Sequence, residues 1–413
     1  MLRWTAAGTG SAIGRKRVDG IIALVLFVSS FSLALGHLEK VGWGSFYQQT
    51  FAPALAWACT GKFESLALDK PAVRDFLSGT TPSFNCSDLP APPADRVPLY
   101  SLQYQTLYLI AAAAGIWAVA GVKWTALFII GALLAAAMNA LIYGICRLFV
   151  GIPWAAAATI LATLSPLNAA MLPELRDYSK APFVLGVILL CGWLLKAIDG
   201  PRRFIGTAAV AGIVAGVGFG VRADLSIAVP FFIIVLVLVL MITRFRLYRE
   251  VLIAAVLFGV TIVATAAPIL AAYRGGGIIG HVALLGLTTP FNKPLGLAAA
   301  PYDIGHLYMD ESMYQFTQEF ALGHQGQAGA PQEIHDTPTG LVYAAYALRA
   351  YLTYTAHFPA DMLVRAYSAV SQVISLDLDD GRVPAFPEFL YRLRNALVWH
   401  GAALIFFASS RLL

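Results

Sequence analysis

Pro173-Glu174-Leu175-Arg176-Asp177-Tyr178-Ser179-Lys180 separates two apolar runs, residues 152–172 and 182–198. Each run has, or nearly has, the roughly 20 residues that carry a helix across a bilayer. Glu174, Arg176, Asp177 and Lys180 crowded between two membrane helices need a reason. A solvated connection is one reading, and the rim of an active site at the membrane surface is the other.

The surrounding composition fixes the setting. Hydrophobic residues make up 59% of the 413 residues and charged residues 12%. The mean hydropathy is +0.71. A soluble domain carries about twice that share of charge, and here the apolar residues come in long runs, so the chain reads as a polytopic membrane protein. The net charge of +5 sits mostly in short connections. That pattern signals topology and argues against a nucleic-acid partner. There is no fixed-period repeat, no zinc-type Cys or His spacing, no strand pattern and no glycine-rich phosphate loop. Of the four cysteines, Cys146 and Cys191 fall inside apolar runs and read as packing residues. Cys59 and Cys86 lie in a polar stretch and are the candidates for a disulfide, which requires an oxidising compartment.

Taken in order, Arg15-Lys16-Arg17 precedes a short apolar segment, 20–36. A secretory signal peptide has this form, with 33–36 as a passable cleavage region. A retained first helix with a cytoplasmic N-terminus is preferred, since further membrane helices follow. Residues 37–123 form a long insertion. Within it, residues 46–63 show helical spacing of large apolar residues and are expected on the membrane surface. Residues 100–121 are apolar enough to span, yet Gln103, Gln105 and several tyrosines mark the first half.

Charge resolves that ambiguity. If residues 100–121 stay outside, the spans are about 20–36, 124–146, 152–172, 182–198, 204–221, 225–243 and 251–273. Arg147, then Lys196 with Arg202 and Arg203, then Arg244, Arg246 and Arg249 all share the side of Arg15-Lys16-Arg17, as the positive-inside rule requires. A spanning 100–121 inverts every later helix. The preferred arrangement puts Glu39, Cys59, Cys86, the 176–180 cluster, Arg222 and Asp224 on the outer face. Gly212, Gly216, Gly218 and Gly220 in the fifth span signal close helix packing. Residues 273–395 form a second long outer region, with amphipathic helical stretches at 302–322 and 339–354, a small polar loop at 324–330 and a turn at 377–382. An apolar run, 396–410, reads as a last span that the sequence cuts short.

The chemistry then rests on carboxylates and cations at outer helix ends: His37 and Glu39 after the first span, Glu174 and Asp177 after the third, Arg222 and Asp224 after the fifth. A carboxylate can deprotonate a hydroxyl or hold a divalent cation. Arg and Lys can hold a phosphate leaving group. These are the parts needed to move a sugar from a lipid-linked phosphosugar. Each also has a structural reading: an Arg176–Asp177 ion pair, a boundary anchor at Arg222/Asp224, a plain flank at Glu39.

The arrangement resembles the GT-C membrane glycosyltransferases, of the protein mannosyltransferase and aminoarabinose transferase type. The likeness covers about the first 270 residues and is carried by degenerate motifs. Pro98-Leu99-Tyr100 opens a juxtamembrane helix. One membrane helix ends in Tyr143-Gly144-Ile145-Cys146-Arg147-Leu148-Phe149-Val150-Gly151 and the next in Leu164-Ser165-Pro166. An outer segment with Arg and Asp follows, and Gly218-Phe219-Gly220-Val221-Arg222-Ala223-Asp224 resembles a later Gly-Arg-acid helix end. The resemblance implies a large first outer loop, an external active site and a polyprenyl-phosphate sugar donor. It also implies one acidic residue in that loop and a second after the third span. Asp177 matches the second. Trp43-Gly44-Ser45-Phe46-Tyr47 stands where the first is expected, with Glu39 a few residues earlier as the substitute.

The expectation is therefore an all-α, GT-C-like transmembrane bundle over residues 1–273, an extracytoplasmic helical region over 274–395 and a last span over 396–413. Asp177 and Glu39 are the candidate catalytic residues. Arg176, Lys180 and Arg222 are candidates for donor phosphate, with Tyr178, Asp224 and Glu174 in support. The expected location is the cytoplasmic membrane, active on its outer face. The expected partners are a lipid-linked sugar donor, membrane lipids and a membrane protein, and a divalent cation is the candidate cofactor. Two rivals stand beside this reading: a non-catalytic subunit of a membrane complex, and a transporter. Transport is disfavoured because transporters keep ionisable groups at mid-membrane.

Overall fold

The structure, a computed structural model, describes residues 9–44, 48–66, 70–89, 96–97, 99, 101–198, 200–272, 279–288, 310–323 and 341–375. It separates into two compact units, residues 1–272 with 404–413, and residues 273–403. The expected loop at 324–330, the turn at 377–382 and the apolar run 396–410 lie outside the described residues.

The first unit is a bundle of apolar helices. Six segments are long and apolar enough to cross a membrane among the described residues: Arg17–Val41, Trp124–Cys146, Leu175–Lys196, Pro201–Val221, Ala223–Ile242 and Tyr248–Ala271. The chain is thus an all-α multi-pass membrane protein. Its outward side chains are those a bilayer accepts. Ile233, Ile234, Val237, Leu238 and Met241 are all exposed along one helix, and backbone polar groups are satisfied within each helix.

α1 (Thr9–Val41) leads into the first loop, which carries α2 (Ala52–Thr60), α3 (Pro71–Leu77), α4 (Ser101–Tyr104) and α5 (Leu107–Ala120). A two-residue antiparallel ladder joins β1 (Ser65–Leu66) to β2 (Arg96–Val97), a pairing too short to leave an alternating pattern in the sequence. α2 is not a surface helix. Ala52, Pro53, Ala54, Leu55 and Ala56 are buried, because α5 packs over them and the rings of Phe51, Phe76, Trp117 and Trp124 close around the same core. Cys59 and Cys86 are joined by a disulfide. α5 is about 21 Å long at 1.5 Å per residue, less than a bilayer core. Its Trp117 belongs to the loop core, and its Tyr108 hydroxyl donates to the Thr265 carbonyl.

α6 (Phe128–Cys146) runs antiparallel to α1. At one end Arg147 pairs with Asp19 through two hydrogen bonds of 2.6 and 3.0 Å, and Tyr143 donates to the same carboxylate at 2.7 Å. At the other end Leu38 and Trp43 close over Gly131.

The expected continuous span at 152–172 is two helices, α7 (Ile152–Thr163) and α8 (Pro166–Met171). Pro166 has no N–H to continue the ladder and pushes Ser165 into extended backbone (φ −62°, ψ 128°). The broken segment still climbs the full length of α1. Ala155 packs with Leu26 near the Asp19 end. Ser30 and Thr163 hydroxyls approach to 3.5 Å. His37 Nε2 lies 3.0 Å from the Ala169 carbonyl, and the Gly44 N–H donates to the Pro173 carbonyl at 3.0 Å.

α9 (Leu175–Tyr178) and α10 (Ala181–Lys196) turn the chain back, and Lys196 reaches the Leu148 carbonyl at the Arg147 end. α11 (Pro201–Val221), α12 (Ala228–Ile242) and α13 (Tyr248–Ala272) complete the bundle. α11 and α13 lie parallel and in contact: a Cβ at Gly212 would stand 2.5 Å from the Phe258 carbonyl oxygen, and one at Gly216 2.8 Å from that of Ile262. Only glycine permits that approach. Thr261 donates across it to the Ala209 carbonyl at 3.1 Å.

The second unit holds α14 (Ile279–Leu287), α15 (Asp310–Leu322), α16 (Leu341–His357) and α17 (Pro359–Ser375). Leu284, Leu287, Met313, Tyr343, Ala347 and Ala350 form its core.

Candidate active site

The stretch 173–180 owes its shape to two prolines and one helical turn. Pro173 follows the end of α8, Glu174 stands at the N-cap of α9, and Pro182 enters α10 in its first turn. Within the turn Leu175, Arg176, Tyr178 and Ser179 are buried. The Ser179 hydroxyl donates to the Arg176 carbonyl at 2.8 Å, and the Tyr178 hydroxyl donates to Asn168 Oδ1 at 2.8 Å. Asp177 and Lys180 are left on the outer side of the turn, each partly exposed.

They meet the end of α11. Arg222 is extended (φ −159°, ψ 123°), which stops α11 at Val221 and starts a short 3-10 turn, Ala223–Ile227. The Arg222 guanidinium is in direct ion-pair contact with Asp177 Oδ1. Its Nε donates to Asp224 Oδ1 at 2.9 Å, and Lys180 Nζ donates to Asp224 Oδ2 at 2.8 Å. Asp177, Arg222, Asp224 and Lys180 thus form one chain of alternating charge. Arg222 is its most enclosed member at 16% exposure, with Asp177 at 30%.

The first loop fixes this junction. Leu175 and Val221, the residues just before Arg176 and Arg222, both belong to the aromatic core of that loop. Phe183 of α10 packs on the same core. The loop therefore clamps the two backbone segments whose side chains make the ion pairs.

The other expected residues divide. Arg176 is buried at 9% exposure, on the inner side of the turn. Glu39 is exposed at the end of α1, and no structural contact brings it to the four-residue chain. His37 caps the Ala169 carbonyl. Ser45 lies outside the described residues. Gly44 does not: a Cβ there would come 2.7 Å from the Glu174 carboxylate carbon, so the space a side chain at 44 would use is filled by Glu174. That juxtaposition joins residues far apart in sequence and leaves no spacing signal. Among the described residues, no group of three or more His, Cys, Asp or Glu side chains is placed to hold a metal ion. Two concavities lie away from the ion pairs. One of about 430 Å³ lies beside Cys86 and Trp117. The other, about 510 Å³, is bounded by Lys196, Arg203 and Trp193.

Two polar clusters were not singled out in the sequence as sites. Asp19, Tyr143 and Arg147 tie α1 to α6. In the second unit His281 Nδ1 pairs with the Tyr343 hydroxyl at 2.5 Å and His281 Nε2 with Asp310 at 3.2 Å. Burial pushes the Tyr343 phenol up to about 12.

Comparison with family models, with curated proteins and with solved structures gave no match.

Proposed function

We propose that this chain is a membrane glycosyltransferase of GT-C type, moving a sugar from a polyprenyl-phosphate donor to an acceptor on the outer face of the cytoplasmic membrane. The observation that carries the reading is the Asp177–Arg222–Asp224–Lys180 chain at one end of the bundle, beneath the disulfide-bonded loop. The positive-inside rule puts the opposite end, with Arg147, Arg202, Arg203, Arg244, Arg246 and Arg249, in the cytoplasm. A disulfide at this end suits an oxidising exterior.

The chemistry requires the ion pairs to open. The donor phosphate takes over Arg222 and Lys180 from Asp224, an exchange of one oxyanion for another. The bond between the anomeric carbon and the phosphate oxygen breaks as the acceptor oxygen attacks. The acceptor proton passes to Asp177, and the phosphate leaves with its added charge on Arg222 and Lys180.

One observation favours a second reading. Arg222 and Lys180 each already have a carboxylate partner, and Gly44 stands at the expected loop acid. A non-catalytic GT-C-like subunit of a membrane complex would look the same. Binding of polyprenyl phosphate to the full-length protein in nanodiscs separates the two. The enzyme reading expects saturable binding weakened at least tenfold by Arg222→Ala; a subunit shows no saturable binding.

A further inference from the structure

α10 and α11 pack closely at mid-length, where a Cβ at Gly186 would come 3.1 Å from a Val214 methyl. Towards the Arg147 end they part around the cavity of about 510 Å³, a size that suits a small ligand. Gly206 helps to open it, since a Cβ there would meet nothing within 4 Å. The lining is graded along the helices. Lys196 and Arg203 stand beside the turn that joins α10 to α11. Leu190 and Val210 lie six and seven residues further along their helices, about 9–10 Å deeper at 1.5 Å per residue. Trp193 is 49% and Val210 46% exposed, so the deeper wall opens on the outside of the bundle, where lipid tails run. Thr207 adds a hydroxyl between the two levels.

The mouth has charge to spare. Residues 190–210 carry three cations, Lys196, Arg202 and Arg203, against one acid, Asp199, so the segment favours an anion. Lys196 Nζ donates to the Leu148 carbonyl at 2.7 Å, which positions the ammonium and leaves two of its three donors. Among the described residues no carboxylate pairs with Lys196 or Arg203. Arg147 at the same end differs, since Asp19 already engages it.

We propose that this cavity binds one anionic phospholipid, its phosphate on Lys196 and Arg203 and an acyl chain along Trp193 and Val210. The gradient of the lining argues for a lipid. A cationic mouth above an apolar wall matches an amphiphile, whereas a free phosphate would use the mouth and leave the wall bare. A guanidinium can grip two phosphate oxygens while an ammonium acts as a point charge. A tryptophan one turn inside the cations is the residue type found at headgroup level, and basic pockets between membrane helices suit acidic headgroups. The site is at the opposite end of the bundle from Asp177 and Arg222, so it holds under either reading of that end.

The test titrates dioleoylphosphatidylglycerol into the full-length protein in a non-ionic detergent, with bound lipid counted by native mass spectrometry. One lipid should bind saturably, and about tenfold more tightly than dioleoylphosphatidylcholine, whose headgroup carries no net charge. Arg203→Gln should weaken it about fivefold, and Lys196→Gln with Arg203→Gln about twentyfold. Gly206→Leu fills the cavity without altering a charge and should abolish the tight site. Arg246→Gln removes an exposed cation that does not line the cavity and should leave the affinity unchanged. Arg203 and Gly206 are exposed, so their variants should keep the lipid-free melting temperature of the parent even where Lys196→Gln does not. Equal affinity for the two lipids overturns the proposal, as does unchanged affinity in Arg203→Gln and Gly206→Leu. Displacement of the lipid by millimolar inorganic phosphate also overturns it, because the mouth would then be a site for a free anion.

Discussion

Asp177 Oδ1 and the Arg222 guanidinium are in direct ion-pair contact, joining the turn of α9 to the extended residue that ends α11. The Arg222 N–H still closes the last turn of α11 on the Gly218 carbonyl at 2.8 Å. Leu175, two residues before Asp177, and Val221, just before Arg222, both sit in the aromatic core of the first loop.

The clamp has a stability consequence. Cys59 and Cys86 are 27 residues apart and bonded, a closure worth about 3.5 kcal/mol on the chain-entropy model. Cys59→Ser with Cys86→Ser should lower the melting temperature and loosen the loop, read as faster proteolysis around Thr80. Unchanged melting under reducing and oxidising conditions would remove this role.

The α11–α13 contact gives a sharper steric test. Gly216→Ala would press a methyl group against the Ile262 carbonyl, 2.8 Å away, and against the Thr265 side chain. Overpacking of this kind costs about 1–3 kcal/mol. Gly206→Ala, with open space around its Cβ position, should be neutral or slightly stabilising in the same melting assay.

Orientation is tested by labelling from outside with an impermeant maleimide. Thr80 and Arg246 are both exposed and belong to opposite ends of the bundle. Thr80→Cys should label in intact cells and Arg246→Cys only after permeabilisation. The reverse pattern would invert the topology and place the ion pairs in the cytoplasm.

The second unit should be alkali-sensitive. The Tyr343 phenol is raised from its ordinary value near 10 to about 12, chiefly by burial. The protonated form is therefore favoured in the folded state. Its contribution is complete below pH 10 and is lost as pH rises towards 12, by about 2–3 kcal/mol. Absorbance at 295 nm and melting followed over that range should move together, and Tyr343→Phe should flatten the melting curve against pH.

Much of this architecture is legible in the sequence because long apolar runs admit few structures. The spans announce themselves, and Asp177, Lys180, Arg222 and Asp224 stand out as charges at helix ends. Three features resisted. The Ser165-Pro166 break lies inside an apolar run, where hydropathy alone favours one helix. The apolar spacing of residues 46–63 is equally suited to a membrane surface and to the loop core where α2 is found, since period does not identify what a face packs against. The meeting of Gly44 with Glu174 depends on α7 and α8 climbing α1, a tertiary fact without a local signal.

The most direct test is release of polyprenyl phosphate from a lipid-linked sugar by the full-length protein in proteoliposomes, with Asp177→Asn alongside. The substitution removes charge at nearly constant volume from a pair whose members are 16% and 30% exposed, so stability should fall by about 1–3 kcal/mol. Transfer should fall at least 100-fold, the least expected on loss of a general base. Equal turnover by the Asp177→Asn protein, at unchanged expression and melting, would contradict the account and leave the four charges as a structural clasp.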